Sequence, residues 1–290
     1  MLLNKRISIL YFIRQIRYQI LYIILFATAI GFVDMHPWLK GVTIPVGIPA
    51  LLGTAVSLLL AFRTSQSYER WWEARIIWGA IVNDSRTLVR LSLQFLSKEE
   101  ADQIAMRQVI WVYSLSESLR RQPFSIYVVD YLERNRIKAT NIPNALLDEH
   151  SKQIKVANSN GQVSDFGQIQ LNEIVTRLCD SMGRCERIKN TVFPRSYSVL
   201  LHTLIYVFAA MLPFGLDDEQ LLVEVILTIL IPVIFLSIEK TAIIMQDPFE
   251  NSPADTPMTK LCQTIEINLT EMCGLERVTD IGDTTGYYQM

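Results

Sequence analysis

The chain of 290 residues is half hydrophobic and 19% charged, with a net charge of −2 and a positive mean hydropathy. That is too apolar for an ordinary soluble protein and too charged for one lying wholly inside a bilayer, so a mixed membrane and soluble chain is predicted. The same balance argues against nucleic-acid binding, which draws on a basic domain, and no basic patch or nucleic-acid motif is present. The cysteines Cys179, Cys185, Cys262 and Cys273 form no CxxC pair and fall in no stretch that reads as extracellular, so they are expected as reduced thiols.

Four apolar runs can cross a bilayer. The first, Ile20 to Val33, is extended by Ile16, Tyr18 and a snorkelling Arg17, giving a span over 16–33. Its charged amphipathic leader differs from a removable signal peptide. The second, 42–62, is uncharged throughout; the third, 199–215, holds His202 as its titratable group; the fourth, 221–238, carries Glu224 near its start. Lys5, Arg6, Arg14 and Arg17 precede the first span and Arg63, Arg70 and Arg75 follow the second, whereas Asp217, Asp218 and Glu219 fill the turn between the third and fourth. The positive-inside rule then puts both termini and the segment 63–198 on the cytoplasmic side of a multi-pass cell-membrane protein, the inner membrane if the source is bacterial.

The stretch "AVSLLLAFRTSQSYERWWEAR", Ala55 to Arg75, passes abruptly from apolar to charged. The spacing places Arg63 at the headgroups or in water, and the apolar residues Trp71, Trp72, Ile76, Leu88, Leu91 and Phe95 continue at three- and four-residue intervals, so one helix is predicted to run from the membrane into the cytosol. Arg70 and Glu73 are three apart and able to pair on its surface. Downstream, "ADQIAMRQVIWVYSLSESLR" and "LNEIVTRLCDSMGRCERIKNTVF" read as amphipathic helices, "NIPNALLDEH" as a turn and helix start, and "VANSNGQVSD" as a loop. With no low-complexity linker or internal repeat, residues 1–277 are read as one membrane-plus-cytosolic domain and 278–290 as a tail.

In the second span Pro45 and Pro49, with Gly41, Gly47 and Gly53, interrupt the outer part, while "TAVSLLLAF" is regular. Thr54, Leu58 and Phe62 are four apart and share a face. Several copies of that helix around an axis would make an apolar constriction, a device that gates by excluding water; lipid contact or packing is the other use of such a stripe.

Three motifs carry a family resemblance over roughly residues 5–275. "FRTSQSYERWWEARIIWG" resembles the signature of the bestrophin family, including its bacterial relatives, "CERIKNTVFPRSYS" resembles the segment before the family's third span, and "DPFENSPADTP" its acidic loop after the fourth. The resemblance implies an all-α, four-span fold with a large helical cytosolic region, assembled as a homopentamer around one central pore. Aligned on "RWW", the family's neck falls on Thr54, Leu58 and Phe62, with Thr54 smaller and more polar than the family's usual residue. Counting back from Cys185 puts its cytosolic aperture on Ile169. Animal members gate through a calcium clasp of clustered carboxylates; here Asp247, Glu250 and Asp255 remain of that run without a continuous acidic cluster, so calcium-independent passive conduction of monovalent ions is expected, with Asp247 and Asp255 the residual clasp candidates and Asp255 read as a structural acceptor.

The sign of the permeant ion stays open between cation (sodium or potassium), toward which a bacterial source tilts the reading, and anion (chloride). Animal and plant relatives conduct chloride and bacterial ones favour monovalent cations, and Phe62 can offer a positive ring edge or a negative face. No HExxH, GxSxG, Walker or GxGxxG pattern places a catalytic group, so neither an enzyme nor a cofactor is expected. His36 and His202 lie toward opposite ends of their spans and do not suggest a haem pair. Two alternatives remain: a secondary transporter with Glu224 and His202 in a proton path, against which stands the lack of paired halves, and a non-conducting membrane scaffold.

Overall fold

Hydroxyl side chains inside the apolar half of the second predicted span return their hydrogen bonds to the helix, and this is how that span stays regular. Thr54 Oγ1 donates to the Ala50 carbonyl at 2.8 Å and Ser57 Oγ to Gly53 at 2.9 Å, so neither hydroxyl depends on water, and Thr64 just past the span does the same to Leu60 at 2.8 Å. The computed structural model describes residues 9–34, 43–191, 193–216, 221–252 and 254–276, and these hold helices and no strand. In chain order they are α1 (Ile9–Asp34), α2 (Gly47–Phe95), α3 (Lys98–Leu119), α4 (Ile126–Arg134), α5 (Ile142–Ser159), α6 (Asp165–Asn190), α7 (Arg195–Met211), a 3-10 turn (Pro213–Gly215), α8 (Leu221–Gln246) and α9 (Met258–Cys273).

Two helical units result, one of residues 9–70 and 193–246, the other of 71–191 and 247–276. The single 49-residue helix α2 contributes to both, as its unbroken periodicity predicts. Its N-terminal end begins later than the apolar run: residues 43–45 are not helical, the Ile44 amide donates to the Phe214 carbonyl at 2.8 Å, and Pro49 sits in the first turn, where a missing N–H is tolerated.

In the first unit Ile23, Val56, Leu60, Leu201, Ile205 and Leu236 form the buried apolar core. Among the described residues, α2 and Val225–Gln246 of α8 are long and apolar enough to cross a bilayer; the apolar run of α1, Ile16–Phe32, is shorter, and α7 has 17 residues. His36 and the acidic turn at 217–219 lie outside the described residues, as does the side chain of Glu224.

The second unit is a conventional helical core around Trp78, Trp111 and Phe249, all fully buried. Its helices start where the sequence provides caps. Ser97 and Glu100 make a reciprocal capping box on α3, Asn141 caps α5 just ahead of Pro143, and Ser164 caps α6 by accepting from the Gly167 amide at 3.2 Å. The helix predicted from Leu171 therefore begins two turns earlier, and the loop predicted over 156–165 shrinks to the residues between α5 and α6. Of the apolar residues whose spacing predicted the helix, Leu88 is buried but Trp72 and Ile76 are about half exposed; Ala74, Ile77, Trp78 and Ile81 form the core face. All four cysteines are free, with Cys179 alone exposed.

Candidate pore helix and the polar cluster behind it

One side of α2 is open along most of its length. Leu51, Thr54, Leu58, Phe62, Ser65, Glu69, Trp72, Ile76, Gly79 and Asn83 recur at intervals of three and four and are all exposed, which is the helical period drawn as a single stripe. The three predicted neck residues lie on it, with Leu58 57% and Phe62 58% exposed. Leaving two large apolar side chains so open in an isolated chain marks a contact, lipid or channel surface.

The opposite side of α2 is fastened down. Val56, Leu60, Arg63 and Ser67 are buried there, and Tyr197 Oη donates to the Leu59 carbonyl at 2.7 Å. The expected position of Arg63, in water or among headgroups, is corrected by the structure: the side chain is 2% exposed, its Nη1 donates to Ser198 Oγ at 2.7 Å and lies 3.6 Å from Glu239 Oε1, and its guanidinium stands 4.7 Å above the Phe193 ring. A buried guanidinium needs a counter-ion and donors' partners close by, and α7 and α8 bring both. Glu239, equally buried, also accepts from His202 Nε2 at 2.7 Å. His202 thus makes an interhelical contact between α7 and α8. Nothing in the sequence spacing could reveal this cluster, because its members come from three separate helices.

Arg70 and Glu73 also find partners other than each other. Arg70 Nε donates to the Gln246 carbonyl at 3.0 Å, where a cation suits the last turn of α8, and Glu73 takes Arg184 at 3.3 Å and Arg187 at 3.6 Å. Trp71 Nε1 donates to the Ala254 carbonyl at 2.7 Å, tying the "RWW" motif to the loop after α8.

Ile169 belongs to the second unit. It lies on the first turns of α6 and is 63% exposed. The helix start is fixed closely: a Cβ on Gly167 would fall 2.9 Å from Val163 Cγ1, so only glycine fits without moving that side chain.

The acidic loop is occupied by protein contacts. Lys189 Nζ reaches Asp247 Oδ2 at 2.9 Å and Glu250 Oε1 at 2.6 Å. Burial raises the Asp247 carboxyl against the opposing pull of that ammonium, while the hydrogen bond from Lys189 lowers Glu250. On Lys189 itself burial pulls down, but the bonds to Glu250 and Asp247 outweigh it and its ammonium is held above the ordinary lysine range. Asp255, 2% exposed, accepts from the Ser252 amide at 2.9 Å and from its hydroxyl, and burial raises its carboxyl too. Among the described residues no group of three or more His, Cys, Asp or Glu is placed to hold a metal ion.

These features (a long helix with one open stripe, an "RWW" motif tied to a Pro-Phe loop, and a second helical unit) define a bestrophin-type membrane protein. The family model described as Bacterial/Fungal Bestrophin protein matches residues 6–271, and the chain belongs to that family. It is 31% identical over 254 residues to the voltage-dependent anion channel-forming protein YneE of Escherichia coli K12, covering 85% of this chain and 84% of that one. It is 27% identical to the voltage-dependent anion channel-forming protein alr2987 of a Nostoc species, over 83% of this chain and 84% of the relative. A bacterial bestrophin homologue from Klebsiella pneumoniae superposes with a TM-score of 0.82 at 28% identity, covering 90% of this chain and 99% of the other.

Proposed function

We propose that this chain assembles as a homopentamer around the open stripe of α2 and conducts monovalent ions passively across the cell membrane, with both termini cytoplasmic. The observation that carries this is the stripe itself. On a helix whose other side is fixed by Tyr197, Ser198 and Glu239, an exposed line of Leu51, Thr54, Leu58 and Phe62 has the form of a pore lining, and rings of Leu58 and Phe62 would close it by dewetting. Ile169 is proposed as a second, cytosolic constriction. The family membership supports this, as do the relatives' names, which describe anion channels and so favour an anion as the permeant species. Conduction needs no covalent step. It is proposed to be independent of calcium, since Lys189 and Ser252 already hold Asp247 and Asp255 and a calcium site needs six to eight oxygen ligands.

The test is single-channel recording of the purified chain in a planar bilayer under a KCl gradient, wild type beside Leu58→Ala. Unitary currents that become larger or longer-lived in the variant are expected, and the sign of the reversal potential assigns anion or cation. Silence from both proteins would refute the channel and bring forward a transporter or scaffold.

A further inference from the structure

We infer that His202 is a specificity-determining residue for permeation: its proton sets the net charge of the buried cluster behind the Phe62 turn and so weights conduction toward anions on acidification. The inference rests on the channel proposed above. Arg63, the residue after Phe62, and Glu239 are each 2% exposed and 3.6 Å apart, so their charges cancel. His202 is 46% exposed and bonded to Glu239 Oε2 at 2.7 Å through Nε2. A contact that short to a carboxylate places the hydrogen on Nε2, leaving Nδ1 as the nitrogen that gains a proton. The cluster is therefore neutral with neutral imidazole and carries one positive charge with imidazolium.

Among the described residues, no second acid is bonded to the cluster to absorb that charge. Arg63 comes from α2, and Ser198 and Phe193 are its other contacts; its Nε is buried without a hydrogen-bond partner. Glu239 and Lys240 come from α8, and Lys240 acts on Glu239 electrostatically. On α7 itself the titratable groups are Arg195, Tyr197 and Tyr206, and Tyr197 is spent on the Leu59 carbonyl. From α1 the described groups Arg14, Arg17, Tyr18 and Tyr22 are exposed, with Arg17 bonded to Tyr18 at 3.0 Å. Imidazole is the side chain in this set suited to change charge between about pH 5 and 8. Repeated around a ring of subunits next to Phe62, the added charge raises the local potential, attracting anions and repelling cations.

The measurement is the reversal potential of the purified full-length chain in a planar bilayer under a KCl gradient, at pH 8 and at pH 5 on both sides. Wild type is expected to raise its anion-to-cation permeability ratio by about threefold or more at pH 5. His202→Gln, which keeps a donor for Glu239 and cannot be charged, should hold the pH 8 ratio at both values, and His202→Lys should hold the pH 5 ratio at both. Wild-type currents with the same ratio at pH 5 and pH 8, or a shift that persists undiminished in His202→Gln, overturn the inference and leave the channel standing. No unitary current from wild type at either pH overturns the channel and the inference with it.

Discussion

Removing Glu239 should be among the most damaging single changes in the membrane unit, although the residue touches nothing in the proposed pore. Glu239→Ala strands Arg63 at 2% exposure without its counter-ion. Ser198, at 2.7 Å, and the Phe193 ring, at 4.7 Å, hold the guanidinium in place with about 1 kcal/mol for the hydrogen bond and about 0.5–2 kcal/mol for the cation–π contact. Those contacts oppose its escape without neutralising it, so the cost is that of breaking a buried pair, about 3–5 kcal/mol. Replacing both partners by apolar residues, as in Arg63→Met with Glu239→Leu, removes the desolvation cost along with the attraction and should return stability to within about 1 kcal/mol of wild type or above it. An exposed pair gives the scale: Arg177, 45% exposed and bonded to Asp84, should cost no more than about 1 kcal/mol on truncation to Ala. Equilibrium unfolding by SDS titration in mixed micelles reads these variants, with wild type, Arg63→Met, Glu239→Leu and the double variant forming a double-mutant cycle beside Glu239→Ala and Arg177→Ala. A Glu239→Ala midpoint indistinguishable from wild type, or a double variant no better than Glu239→Ala, would refute the reasoning.

Further outcomes follow from the helical unit and its loop. Phe249→Ala, which empties a fully buried site between the Pro-Phe loop and the core, should cost about 3–5 kcal/mol in the same titration; a loss below about 1 kcal/mol would show that the loop does not seal the core. Alkylation with iodoacetamide at pH 8, followed by mass spectrometry, should modify Cys179 first. Cys185 and Cys273 are buried and their thiols pushed up to about 12 and about 11, and burial raises Cys262 as well, so prompt labelling of any of these in folded protein contradicts the packing. Burial raises the Asp255 carboxyl above its ordinary value of 3.8, so the folded state holds that proton more tightly than the unfolded one. Its contribution to stability is therefore present at low pH and lost as pH rises through the folded value. Relative to wild type, Asp255→Asn should gain stability as pH is raised from 3.8 upward; a difference that is flat or falls with pH would overturn that assignment.

Much of the architecture was legible because it is local. The period of α2 shows in Thr54, Leu58 and Phe62, and the start of α5 in the turn at Asn141, whereas the caps Ser97 and Ser164, with their partners three residues on, set helix starts that apolar periodicity alone put later. The stripe proposed as the neck could be drawn from spacing alone, since residues four apart on a helix share a face whatever the helix packs against. Arg63 shows where such reasoning stops. Its position after an apolar run predicts solvent, and only the convergence of α2, α7 and α8 makes burial possible, by delivering Ser198 and Glu239 from the far part of the chain. Trp72 and Ile76 illustrate the same limit from the other side, because periodicity identifies a face but not whether core or open space lies against it. Composition and pattern determined that the chain is helical, membrane-borne and organised around one long helix; the tertiary structure decided which of that helix's faces is buried and where its charges find partners, since both depend on residues that adjacency in sequence does not bring together.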